Sequence, residues 1–247
     1  MTISPRKPSK TPSVSYLVRR KIERGGEHLW RQEDFPRQSP LAVAQALSRL
    51  ARSGVIQRLS KGIYYHGRQT VFGVSKPNPT ALLRLAARRK PMFPSGLGAA
   101  NLLGFTTQNS TKAEVATCAT SLPRKLIGQD TVVHTRRPKA WAGLWRTDAA
   151  LLDLLRGGGN ASDLSPEETV RGILRLLSKG GRFGRLAKVG TSEPPRVRAL
   201  LGALGERLNR DPAELRRLRD SLNVTSRFDF GMLAGLPNAK AWQARRR

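Results

Sequence analysis

Gln45, Ser48, Arg49 and Arg52 place an amide, a hydroxyl and two guanidiniums close together along the chain. An amide can make paired hydrogen bonds to adenine and a guanidinium can do so to guanine, so the first three suit the edges of base pairs in a major groove. Arg58, Ser60 and Lys61 follow shortly after, and with Arg52 they suit the phosphates flanking such a groove. Ser39 stands just ahead, at the expected start of a helix, where it would cap the first turn and lie near outward-pointing backbone amides. These eight residues form a candidate site for double-stranded DNA.

Other chemistries find less support. His28, His66 and His134 share no metal-ligand spacing, and the single Cys118 rules out an internal disulfide framework or a cysteine zinc cluster. Glu167 and Glu168 are adjacent, but Ser165 with Glu168 reads as a capping box, and both carboxylates suit the positive start of a helix. The run GLGAAN, Gly96 to Asn101, superficially resembles a dinucleotide loop, yet Asn101 replaces its third glycine and no strand is expected before it. Gly157 to Gly159 and GRFGRLAKVG lack the Gly, Lys, Ser/Thr order of a phosphate cradle and read as loops. The expectation is a protein without catalytic residues, metal or cofactor. An enzyme, such as a nuclease, is the reading that a chelator-sensitive activity would revive.

The candidate site needs elements to hold it. Val14, Leu17, Val18 and Ile22 define one face of a helix that Gly25 and Gly26 stop. Leu29 and Trp30 suit a short extended piece, and RQEDF a short helical turn before Pro36. Ser39 and Pro40 then open a helix that runs to about Ser53 and is closed by Gly54. Val43, Leu47 and Leu50, with Ala46 beside them, form its apolar stripe, while Gln45, Ser48, Arg49 and Arg52 point the other way. VIQRL and GIYYH alternate around Ser60, Lys61 and Gly62 as a hairpin. Helix, short helix, capped helix and basic ribbon together predict a winged helix-turn-helix over residues 14–75, after a disordered basic arm at 1–13.

Lys76, Pro77, Asn78 and Pro79 read as a linker into a mixed domain over 80–247. There TALLRLAARR reads as helix, FPSGLGAANLLGF as a turn entering a short helix, and KAEVATCAT and DTVVHT as strands. From Thr147 onward four amphipathic helices dominate. The fold class expected is α+β and helix-rich: an N-terminal winged helix-turn-helix followed by a mixed α/β domain with a helical C-terminal half.

Forty-five Lys and Arg against 17 Asp and Glu leave a net charge of +28 and a pI near 11.7, which favours a polyanionic partner. No apolar run is long enough to span a bilayer, and the basic opening segment lacks the apolar centre of a secretory signal. With the lone cysteine, this suits a cytoplasmic protein without membrane partners. A second basic surface is expected from Arg171, Arg175 and Lys179, spaced i, i+4, i+8, followed by Arg182, Arg185 and Lys188. It reads either as a solvated face or as a contact for DNA, RNA or an acidic protein.

The blocks SPLAVAQALSRLARSGVIQRLSKGIYY, FPSGLGAANLLGFTTQ, PPRVRALLGALG and LNVTSRFDFG resemble the AbiE-type (AbiEi-like) antitoxins, transcriptional regulators of bacterial type IV toxin-antitoxin loci. The likeness covers nearly the whole chain after Val14, and the order from Gly98 to Gln108 is its most particular part. The resemblance implies a repressor that binds repeats in its own promoter and counteracts a nucleotidyltransferase-type toxin. Two alternatives stand beside it: a stand-alone winged-helix regulator without a toxin, and an RNA-binding module acting on tRNA or ribosomes. The low aromatic content, 6%, speaks against stacking platforms for single strands.

Overall fold

Ser13 begins the chain's first helix by accepting a hydrogen bond from the Tyr16 amide at 3.3 Å, and α1 (Val14–Arg24) then buries Val18 and Ile22. The computed structural model describes residues 12–71, 73–78, 81–82, 85–87, 90–108 and 110–245. Positions 1–11 of the expected basic arm lie outside the described residues, as does much of the helix expected over TALLRLAARR. The chain divides into two units, 1–86 with 123–128, and 87–122 with 129–247. It is mixed α+β and helix-rich.

In the first unit, β1 (His28–Arg31) leads into a 3-10 turn, Gln32–Asp34, which the Arg31 amide closes by donating to Asp34 Oδ2 at 2.6 Å. Next comes α2 (Pro40–Arg52), with proline at the position where its missing donor costs nothing. The strands β2 (Gln57–Ser60) and β3 (Ile63–His66) form an antiparallel hairpin turned at Gly62, whose φ of 71° suits a residue without Cβ. β1 pairs with β3 from the other side, giving the order β1-β3-β2. A small hairpin of β4 (Gln69–Thr70) and β5 (Gly73–Val74) follows.

Register divides the work of this sheet. Trp30 and Tyr64 are paired and join Val18, Ile22, Val43, Ala46, Leu47 and Leu50 in one core, so this sheet face packs on α1 and α2. The opposite face carries Tyr65, whose hydroxyl donates to Glu27 at 2.6 Å and lies 3.0 Å from Ser75 Oγ. Burial, first, and the bond to Glu27 push this phenol's pKa up.

Sequence reading drew the domain boundary at the Lys76 to Pro79 linker. The first unit instead runs to Ala86 and also contains Pro123–Gly128, where a short helix, α4 (Arg124–Ile127), packs against β2 with Leu126 and Ile127 buried. Four residues carry no periodicity long enough to read, so the segment was invisible in the sequence.

The second unit starts with β6 (Met92–Pro94), α3 (Gly96–Leu103), β7 (Glu114–Thr117) and β8 (Val132–His134). β7 is central, antiparallel to β6 and parallel to β8. The helical half is α5 (Arg146–Arg156), α6 (Pro166–Ser178), α7 (Arg182–Gly190), α8 (Pro195–Arg207) and α9 (Pro212–Asp220). α5 is buried nearly all round, with Leu151, Leu152 and Leu155 fully buried, as befits a helix surrounded by others. The Trp242 ring lies so close to α8 that a Cβ at Gly202 would meet it at 2.0 Å. The expected capping box is present, with Ser165 Oγ accepting from the Glu168 amide at 3.2 Å and Glu168 accepting from the Ser165 amide at 3.1 Å.

One element corrects the sequence reading. GRFGRLAKVG forms α7 rather than a loop, because Phe183, Leu186 and Ala187 bury one side of it in the core. Its one interior glycine, Gly184, lowers helix propensity by about 1 kcal/mol, and tertiary burial outweighs that.

Candidate functional site

All eight residues of the candidate site belong to the first unit. Ser39, Gln45, Arg49, Arg52, Arg58 and Lys61 are exposed, while Ser48 and Ser60 are half-buried. Among the described residues, none of the eight side chains makes a hydrogen bond or ion pair within the protein. Two other basic residues of the unit pair internally, Arg19 with Glu23 at 2.7 Å and Arg31 with Glu33 at 3.0 Å. The sequence keeps its acids away from the outer face of α2, and that is why its charges stay unmatched.

Helical geometry concentrates these groups. Gln45, Ser48 and Arg52 recur at i, i+3 and i+7, so they share a narrow sector of α2, with Arg49 flanking it. The buried residues Val43, Ala46, Leu47 and Leu50 occupy the other side, as their spacing predicts. Leu41, 72% exposed, stands one turn ahead of Gln45 in the same sector. Sequence reasoning did not single it out, although its spacing from Gln45 was legible.

Two expectations are revised. Ser39 precedes the helix, but its hydroxyl makes no capping hydrogen bond; its carbonyl accepts from the Val43 amide at 3.0 Å instead. In the hairpin, Arg58 is opposite Tyr64 and therefore lies on the sheet face that carries α2, exposed because β2 is the edge strand. Ser60 comes after an irregularity in the register and is opposite Ile63, which places it on the other face. The structure thus groups Gln45, Ser48, Arg49 and Arg52 on one helix, puts Arg58 on the same side of the sheet and Lys61 at the turn, and separates Ser60 from Arg58.

The second basic surface is partly dismantled. Arg171, Arg175, Lys179 and Lys188 are exposed. Arg182 Nε and Arg185 Nε instead donate to the two oxygens of fully buried Asp148, at 2.8 and 2.9 Å. Arg185 also stacks over Trp145, with 4.8 Å from its guanidinium carbon to the ring centre. A carboxylate without access to water must be paired, so these two cations are structural. Asp148 lies more than thirty positions earlier in the chain, and nothing in local spacing marks it as their partner.

The glycine-rich run at Gly96 has a strand before it after all, Met92–Pro94, which the sequence reading did not expect. The start of α3 is nonetheless occupied from within: Asp153 Oδ2 accepts from Ser95 Oγ at 2.8 Å and from the Gly96 amide at 2.9 Å. An internal carboxylate takes the place where a dinucleotide phosphate would sit. Among the described residues, no group of three or more His, Cys, Asp or Glu side chains is arranged to hold a metal ion, and no helix is long and apolar enough to cross a membrane.

No protein-family model matches the sequence, and no curated protein matches it. Among solved structures, the chain is similar to the Rv2827c protein from Mycobacterium tuberculosis, at 16% identity and a TM-score of 0.45 over 93% of this chain and 90% of that one.

Proposed function

We propose that the first unit is a winged helix-turn-helix that binds duplex DNA, and that the protein is a transcriptional repressor without enzymatic activity. In this reading α2 enters a major groove and the β2–β3 hairpin lies along the adjacent backbone. Gln45, Ser48 and Arg49 read base edges; Arg52, Arg58 and Lys61 hold phosphates. Ser39 belongs with the helix start, and Ser60 keeps at most a backbone contact at the turn. The observation that carries the reading is the sector of α2 that is polar, basic, exposed and without internal partners. The net charge of +28 supports it.

From the sequence resemblance we further propose that the repressor is the antitoxin of a type IV toxin-antitoxin locus. It would bind repeats in its own promoter and counteract a nucleotidyltransferase-type toxin in the cytoplasm. A nucleotidyltransferase-like reading frame beside the gene is the first observation to seek.

Fluorescence anisotropy with the chain's own promoter tests the DNA reading. Neutralising about six phosphates gives a plot of log K against log salt with a slope near −5. Arg49→Ala weakens binding by about 1–3 kcal/mol and relaxes the preference at one base pair, whereas Lys61→Ala weakens all sequences alike and reduces the slope by about one. A flat salt response, or total RNA competing as well as the promoter duplex, would exclude this function.

A further inference from the structure

A cavity of about 380 Å³ lies in the second unit, lined by residues from the start of α3, the ends of β8 and α5, and the start of α8. That is within the usual range of small-molecule sites, about 300–1,000 Å³. Three arginines, Arg137, Arg156 and Arg196, line it together with His134.

The surroundings hold two of these guanidiniums in place. Arg137 Nη2 donates to Asp153 Oδ1 at 2.8 Å, and Arg156 Nε donates to Glu193 Oε2 at 2.6 Å. Both guanidinium carbons also lie over the ring of fully buried Trp141, at 5.5 and 5.6 Å. The two acids are themselves fixed, Asp153 by Ser95 and the Gly96 amide, and Glu193 by Trp141 Nε1 at 2.6 Å. Each carboxylate therefore orients its arginine and has little capacity left for a second cation.

Donors remain unused. Asp153 takes only Nη2 of Arg137 and Glu193 only Nε of Arg156, while Arg137 Nε is buried away from the cavity, and Arg196 makes its one hydrogen bond to the Arg156 carbonyl. Among the described residues, Arg196 has no carboxylate partner. The remaining acid in the wall, Glu114, has its Oε2 3.1 Å from His134 Nε2. A pre-oriented set of guanidinium edges, one of them on an arginine without a carboxylate partner, is suited to a tetrahedral oxyanion.

We infer that this cavity binds a small phosphate-bearing anion, held by Arg196 and the free edges of Arg137 and Arg156. The inference does not depend on DNA binding, because no residue of the cavity belongs to the first unit.

Calorimetric titration of the full chain with inorganic phosphate, glucose 6-phosphate and adenosine 5′-monophosphate, at matched ionic strength in chloride, tests it. At least one probe should saturate a single site. Arg196→Gln should weaken that binding by about tenfold to a hundredfold, the worth of a charge-assisted hydrogen bond. Arg171→Gln, on the exposed surface of α6, should leave it unchanged, which separates this site from uptake by a basic protein at large. Ala161→Leu narrows the cavity without altering charge and should abolish binding, so the test survives if the arginine variant fails to fold. No single-site saturation by any of the three probes would overturn the inference. So would wild-type affinity in a folded Arg196→Gln or Ala161→Leu protein.

Discussion

Arg49 and Arg182 are the same residue type on two helices, and the nearest carboxylate decides what each can do. Among the described residues Arg49 has none within reach, whereas Arg182 shares Asp148 with Arg185. Replacing Asp148 with alanine leaves two guanidiniums facing a buried, uncompensated site, and should destabilise the chain by about 3–5 kcal/mol in urea denaturation. A loss below about 1 kcal/mol, the range of surface pairs, would show that the cluster is solvated. Leu41 carries a different prediction. If α2 lies in a major groove, this exposed side chain is placed to meet a thymine methyl. Replacing one operator thymine by uracil should then cost about 0.8 kcal/mol, and Leu41→Ala should remove that sensitivity. Binding that depends on Arg49 but ignores every uracil substitution would leave the DNA reading standing and dismiss Leu41.

Individual elements show where local signals suffice. The apolar spacing of α2 and the Ser165 to Glu168 capping box were both legible, because each is settled within a few turns of one helix. α7 was not, since its glycines argue for a loop and its stability comes from the core around Phe183 and Leu186. The end of α8 offers a titratable test. Asn238 Nδ2 and Trp242 Nε1 donate to Glu206 Oε2 at 2.6 and 2.8 Å, and with nearby Arg219 they hold this carboxyl below its usual value. A carboxyl lowered in the folded state binds fewer protons there than in the unfolded chain. Its stabilisation is therefore present above the ordinary glutamate value, about 4.3, and is lost as pH falls through the depressed one. Glu206→Gln should flatten the acid limb of a stability-against-pH curve. An unchanged limb would mean that the two donors do not distinguish carboxylate from amide.

At the scale of the whole chain, the first unit is completed by Pro123–Gly128, a segment reached only after β6, α3 and β7 of the second. Leu126→Ala should cost about 2–5 kcal/mol, as large-to-small changes in cores do. Amide exchange should rise in β2 and β3 while α5 and α6 keep their protection; a loss of protection spread over 129–245 would contradict this assignment. The sequence by itself determined a basic, helix-rich α+β chain and the two faces of α2, because net charge and helical periodicity are properties of neighbours along the chain. Only the tertiary structure decided which arginines are spent on Asp148, Asp153 and Glu193, that the start of α3 is filled from α5, and that residues 123–128 return to the first unit. Those outcomes depend on groups tens of residues apart meeting where water is excluded, and a buried charge has to find its partner wherever the fold supplies one.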